Sequence, residues 1–231
     1  MKKNLLIVLS VLAVVFLGIL LVLVIPERKS ADERLLEGIT NNDESLVKKA
    51  LQEGADPDLE INGATALVQS IRQLNSDNRD ISIARDLVNA GADYKNPDVI
   101  TSALKLCATG VYLSDLETDF IPSLISDGVD VNIKVDGVND IFCYAVKYGL
   151  NYRIIYAASG AGADVNGDID NLGYLPIEYL IRTGRHNGVS TLVYVGSKIP
   201  ETIDGKTVKQ YVLDRYGEDV AKAFYSSIFT V

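Results

Sequence analysis

The stretch DVNGDIDNLGYL, residues 164 to 175, is where this chain comes nearest to a metal site. Asp164, Asn166, Asp168 and Asp170 alternate there as the oxygen ligands of a calcium loop do. Such a loop needs glycine at its sixth position for a sharp turn and a two-oxygen acid at its twelfth. Those positions hold Ile169 and Leu175, so the string has neither the turn nor the closing ligand. Gly205-Lys206-Thr207 ends like a phosphate-binding loop, but Pro200 stands where the earlier glycine belongs. Without that glycine the backbone amides cannot cradle a phosphate. Gly160-Ala161-Gly162 opens a dinucleotide-type pattern, yet Val165 replaces the third glycine and a helical pattern precedes it. The one histidine, His186, has no carboxylate or thiol placed beside it by any spacing. Cys107 and Cys143 sit in apolar stretches, which favours buried free thiols over a disulfide framework and offers no zinc spacing. Hydrolase and transferase chemistry therefore lack a constellation, and neither a metal nor a cofactor is expected.

What must position any functional group begins after an apolar segment. Residues 1–4 form a short tail, and Leu5 to Ile25 is an unbroken run of 21 uncharged residues. At roughly 1.5 Å per helical residue it matches a hydrocarbon core of about 30 Å. Pro26, Glu27, Arg28 and Lys29 follow in place of a cleavage site, so the run reads as a retained single-pass anchor rather than a removed export signal. Basic residues flank both ends, and their count leaves sidedness open. A short tail with Lys2 and Lys3 normally stays in the cytoplasm, which would export everything after Ile25. Beyond residue 29 there are 18 basic and 30 acidic side chains, a formal charge of −12. The acidic balance disfavours nucleic acid as a partner, since phosphate binding needs a basic face. A basic protein surface fits better.

Gly54, Gly91, Gly128, Gly162 and Gly196 recur at spacings of 37, 37, 34 and 34 residues. A period between 20 and 50 residues is the mark of stacked repeats. Each unit runs an apolar helical stripe such as Leu46, Val47, Ala50 and Leu51 into its glycine, then a polar loop. A second helical stretch begins near Thr65, Ser102, Asn139, Leu175 and Thr207. Ser30 and Glu33 have capping-box spacing ahead of Leu35 and Leu36. The extra residues of units two and three belong in the turns at 75–80 and 111–119. The segment from Thr207 to Ile228 reads as two helices about Gly217, a terminal cap.

The sequence resembles ankyrin repeats, through GADVN at Gly162, GVDVN at Gly128, GYLPIEYLIRTGRHNG from Gly173 and NNDESLVKKALQEGAD from Asn41. No copy has the helix-start histidine of that pattern, and only Pro176 keeps its proline. The resemblance implies an all-α solenoid of helix-turn-helix units with β-turn fingers over residues 32–231, joined to the anchor by a linker at 26–31. It implies binding of another protein through the fingers and the inward faces of the first helices. On that scheme the candidate contact residues are Asp58, Glu60 and Asn62; Lys95, Asn96 and Asp98; Lys134 and Asp136; Asp168, Asp170 and Asn171; and Glu201 and Asp204. Ten of the twelve tyrosines lie from residue 144 onward, and Tyr144, Tyr148, Tyr152 and Tyr156 come four apart. Tyr148 and Tyr179, flanked by Lys147 and Arg182, are the aromatic candidates, because tyrosine offers large contact area with few rotors. The expectation is a membrane-anchored, non-enzymatic protein that binds a basic protein near the bilayer, on the periplasmic side of a bacterial inner membrane. Two further roles fit the same layout: an immunity protein that neutralises a secreted toxin, and a structural subunit of a membrane complex.

Overall fold

The computed structural model describes residues 29–169 and 173–229. The apolar run at 5–25 and the finger residues Asp170 and Asn171 lie outside the described residues. Among those described, no helix is long and apolar enough to cross a membrane.

Helix α1 (Ala31–Thr40) starts at the expected capping box. The Ser30 hydroxyl accepts from the Glu33 amide at 3.1 Å, and the Glu33 carboxylate accepts from the Ser30 amide at 2.7 Å. It pairs with α2 (Glu44–Gln52), and five more pairs follow. They are α3 (Ala66–Arg72) with α4 (Ser82–Asn89); α5 (Pro97–Ala108) with a π-turn (Leu116–Phe120) leading into α6 (Ile121–Ser126); and α7 (Ile141–Tyr148) with α8 (Tyr152–Gly160). Then come α9 (Pro176–Arg182) with a 3-10 turn (His186–Gly188) and α10 (Val189–Tyr194), and finally α11 (Val208–Tyr216) with α12 (Glu218–Phe229). First helices pack on first helices, α1 on α3, α3 on α5 and α7 on α9. Second helices do the same, α2 on α4, α6 on α8 and α10 on α12. The result is two helical layers with a continuous apolar core between them.

The period in the sequence has a backbone cause. Gly54, Gly91, Gly128, Gly162 and Gly196 have φ of 91, 100, 98, 94 and 89°, a region where a Cβ is strained. Each reverses the chain after a second helix. The next amide then reaches the carbonyl five residues back, at 3.0 Å for Ala55 to Ala50 and 2.9 Å for Ser197 to Leu192, which closes the helix end. The aspartate two residues after the first four glycines is equally fixed. The Oδ1 atoms of Asp56, Asp93, Asp130 and Asp164 accept from the amides of residues 58, 95, 132 and 166 at 2.9 to 3.1 Å, forming Asx turns.

Three fingers are tight hairpins with two left-handed residues at the tip. These are Asn62-Gly63 (φ 52 and 78°), Asp136-Gly137 (49 and 83°) and Asp204-Gly205 (50 and 74°), the Asn-Gly and Asp-Gly chemistry of a type I′ turn. Strands β1 (Glu60–Ile61) and β2 (Ala64–Thr65) flank the first tip, an isolated bridge between Val135 and Val138 the second, and β3 (Thr202–Ile203) and β4 (Lys206–Thr207) the last. Ile61, Val135, Val138 and Ile203 are buried, so apolar finger bases hold polar tips outward.

The second unit departs from the expected layout. Helix α5 begins at Pro97 and not near Ser102. Asn96 Oδ1 accepts from the Asp98 amide at 3.0 Å, and Pro97 presets φ for the first helical position. Asn96 is thus a helix cap and Asp98 a first-turn helical residue, and the Lys95 to Asp98 segment forms no hairpin. The extra residues of units two and three fall between the paired helices, as the spacing predicts.

Candidate protein-binding surface

The finger residues named from the sequence do different jobs. Asp58 is half-buried and spends its carboxylate on the next unit, accepting from the Asp93 amide at 2.7 Å. The same bond recurs from Asn166 Oδ1 to the Lys198 amide at 2.7 Å, and from Asp32 Oδ1 to the Asp56 amide at 2.9 Å. Asp136 pairs with Lys105 of α5 at 2.6 Å. Asp204 takes a two-pronged bond from Arg182 of α9 at 2.8 and 3.2 Å. That guanidinium holds the Asp204 carboxyl below the usual carboxylate range, and Asp204 in turn raises Arg182, helped by Glu178 at 2.8 Å. A cation on a first helix therefore staples the tip of the next finger in two units. Asp168 accepts from the Gly173 amide at 2.8 Å, and its carbonyl from Asn139 at 2.9 Å. Asn62 forms a tip, and Glu60, Lys95, Asp98, Lys134 and Glu201 are exposed.

Of the residues that mimic a calcium loop, Asp164, Asn166 and Asp168 are therefore engaged in folding. Asp164 closes an Asx turn and Asn166 bonds the next unit. No group of three or more His, Cys, Asp or Glu able to hold a metal occurs among the described residues.

The four tyrosines spaced four apart do not share one helix. Gly149 adopts φ 68° and ends α7, so Tyr144 and Tyr148 belong to the first layer and Tyr152 and Tyr156 to α8 in the second. Tyr144 is buried, and burial with the neighbouring Tyr148 pushes its phenol up to about 12. Tyr148 is 42% exposed, 4.5 Å from the Tyr144 ring and beneath Lys147 at 5.7 Å. Tyr179 is half-buried against the core, under Arg185 at 5.3 Å. Arg182 lies 4.4 Å over Tyr174 and 5.8 Å over Tyr211. Seven tyrosine rings in all lie beneath a cation of the same chain among the described residues. Sequence reasoning passed over a second cluster: Tyr152 (51% exposed) meets Tyr156 (38%) edge-on at 5.4 Å, and Tyr156 meets Tyr194 (69%) at 5.5 Å. Tyr194 lies in the next unit, outside the spacing of four, and only the fold brings its ring to Tyr156.

The buried titratable groups serve the stack. Cys107 and Cys143 are free thiols raised far above their ordinary range by burial, which leaves little thiolate for nucleophilic work. Glu117, in the π-turn, is buried and raised by desolvation while accepting from the Asn151 amide of the next unit at 3.2 Å. His186 packs edge-on against Tyr216 at 4.5 Å and Phe224 at 5.8 Å. Both its nitrogens are buried without a hydrogen-bond partner, and burial lowers its pKa. A groove of about 550 Å³ beside it is lined by Leu150, Tyr152, Ile155, Leu180, Arg185 and Leu192.

No family model matches this sequence, and no curated protein matches it. Among solved structures it is similar to the ankyrin repeat domain of human ASB11, at a TM-score of 0.54 and 15% identity, covering 84% of this chain and 82% of that one. The tandem helix pairs, the glycine-closed turns and the hairpin fingers, joined to that likeness, give this chain the ankyrin-repeat fold.

Proposed function

We propose that the chain is a protein-binding scaffold held at a membrane by residues 5–25, and that its partner docks on the face made by first helices and fingers. The observation supporting this is Tyr148: a large ring left 42% exposed on a first helix, backed by the buried Tyr144 ring and covered by Lys147. A rigid aromatic on a packed base is the usual form of an interface anchor. The charge of −12 beyond residue 29 favours encounter with a basic surface. Because Asp136 and Asp204 are engaged with Lys105 and Arg182, the exposed Glu60, Asp98 and Glu201 are the acids free to meet it. Binding, and not catalysis, is the activity.

Affinity purification from membranes, with the full chain, a chain lacking residues 5–25 and Tyr148→Ala, tests this. The expected result is a partner whose complex with Tyr148→Ala dissociates faster, at a cost of about 1–3 kcal/mol. A partner retained with unchanged dissociation rate refutes the role of Tyr148. The partner's identity separates toxin neutralisation from service in a membrane complex. A reporter active only after export, fused to Val231, tests the periplasmic placement; silence there, with an active cytoplasmic reporter, refutes it.

A further inference from the structure

We infer that the second helical layer carries a separate docking site, where arginine or lysine side chains of a partner's peptide segment lie over the rings of Tyr152, Tyr156 and Tyr194. This surface is on the other layer from the one proposed above and does not rest on that reading.

Three observations lead there. The rings form one edge-to-face ladder across α8 and α10, at 5.4 and 5.5 Å, and each stays substantially exposed while its neighbour restrains it. An edge-to-face contact occupies at most one face of a ring, and a face left open to solvent can take a cation. Beside Tyr156 and Tyr194, an open notch of about 600 Å³ is bounded by Ser159, Gly160 and Val195. A Cβ built on Gly160 would meet nothing within 4 Å, so peptide backbone can approach there.

The second observation is how the chain treats its other tyrosines. Seven of the nine others, all but Tyr112 and Tyr144, lie under a lysine or arginine of the same chain, at 4.4 to 5.9 Å. Among the described residues no cation covers the three ladder rings. Arg153, the cation nearest in sequence, instead donates to the Thr118 carbonyl at 3.3 Å, toward the preceding unit. The third observation is charge. The chain beyond residue 29 carries −12, which draws a cationic segment toward it and repels an acidic one. Guanidinium is the better fit, since its plane stacks on an aromatic face and sheds water more readily than ammonium.

The test uses the full-length chain with ring-labelled tyrosine and a capped peptide of alternating glycine and arginine, followed by NMR. The expected result is a shift of the Tyr152, Tyr156 and Tyr194 ring signals that saturates with peptide. The citrulline version, equal in shape but uncharged, produces none. Tyr156→Leu with Tyr194→Leu keeps apolar area but removes two ring faces, and weakens binding by about fivefold or more. Tyr194→Leu alone, at the most exposed ring, gives a smaller loss in the same direction and guards against a folding defect in the double variant. Glu60→Gln with Glu201→Gln removes finger charge and leaves the ladder shifts in place. Equal binding by the leucine variants, equal binding of the citrulline peptide, or shifts that disappear with the finger glutamines would each overturn the assignment.

Discussion

Replacing Asp58 by alanine decides whether a finger acid is a contact for a partner or a tie within the stack. Its Oδ1 accepts from the Asp93 amide of the following unit at 2.7 Å. Without it, that amide must turn to water, and the join between the first and second units loses a charge-assisted bond. Hydrogen bonds to charged groups contribute more than neutral ones, but this bond is solvent-accessible, so about 0.5–1.5 kcal/mol is the expected loss. For a domain of this size, each kcal/mol lowers Tm by about 2–4 °C, so the shift should be about 1–6 °C. Asp58→Asn keeps an acceptor and should recover most of it. Asn166→Ala, which breaks the equivalent bond to the Lys198 amide, should produce a loss of the same order near the other end. Thermal and urea denaturation followed by circular dichroism measure all three. Because a repeat stack depends on nearest-neighbour joins, Asp58→Ala should also broaden the transition. An Asp58→Ala protein with unchanged midpoint and slope, yet weaker partner binding, would refute the structural role and restore Asp58 to the contact surface.

Two buried groups should give opposite pH responses. The Glu117 carboxyl is raised in the fold, so its contribution is greatest below the unfolded pKa and is lost as pH rises through the folded one. Glu117→Gln, which still accepts from Asn151, should therefore gain stability over wild type as pH rises above the ordinary glutamate range, read in urea midpoints. His186 is lowered in the fold, so its neutral ring contributes stability above the unfolded pKa that is lost as pH falls. His186→Leu should flatten the decline seen as pH falls below the ordinary histidine range. Cys107 and Cys143, buried and raised, should resist a chromogenic thiol reagent in the native protein and react at once in denaturant; rapid labelling of either in the native state would refute their burial.

The repeating architecture was legible because its signals are local. A helix-closing turn with φ near 90–100° needs glycine, an Asx turn needs aspartate two residues on, and a type I′ tip needs Asn-Gly or Asp-Gly. Gly54, Asp56 and Asn62-Gly63 thus state one unit's geometry without help from the rest of the chain. The Ser30 box and the break at Gly217 are of the same kind. The second finger was misread because Asn96-Pro97 combines a cap with a preset φ, and the spacing of the other units hid that local instruction. Contacts between units were beyond the sequence. Nothing local tells that Asp58 faces the Asp93 amide, that Arg182 reaches Asp204, or that Glu117 holds Asn151. The tyrosines show the division most directly. Spacing of four along the chain links Tyr148 to Tyr152, but Gly149 sends them to opposite layers, and Tyr156 finds its neighbour in Tyr194 because α10 packs beside α8. Backbone conformation is written residue by residue, whereas which surfaces meet is settled only when two layers of helices bury a common core.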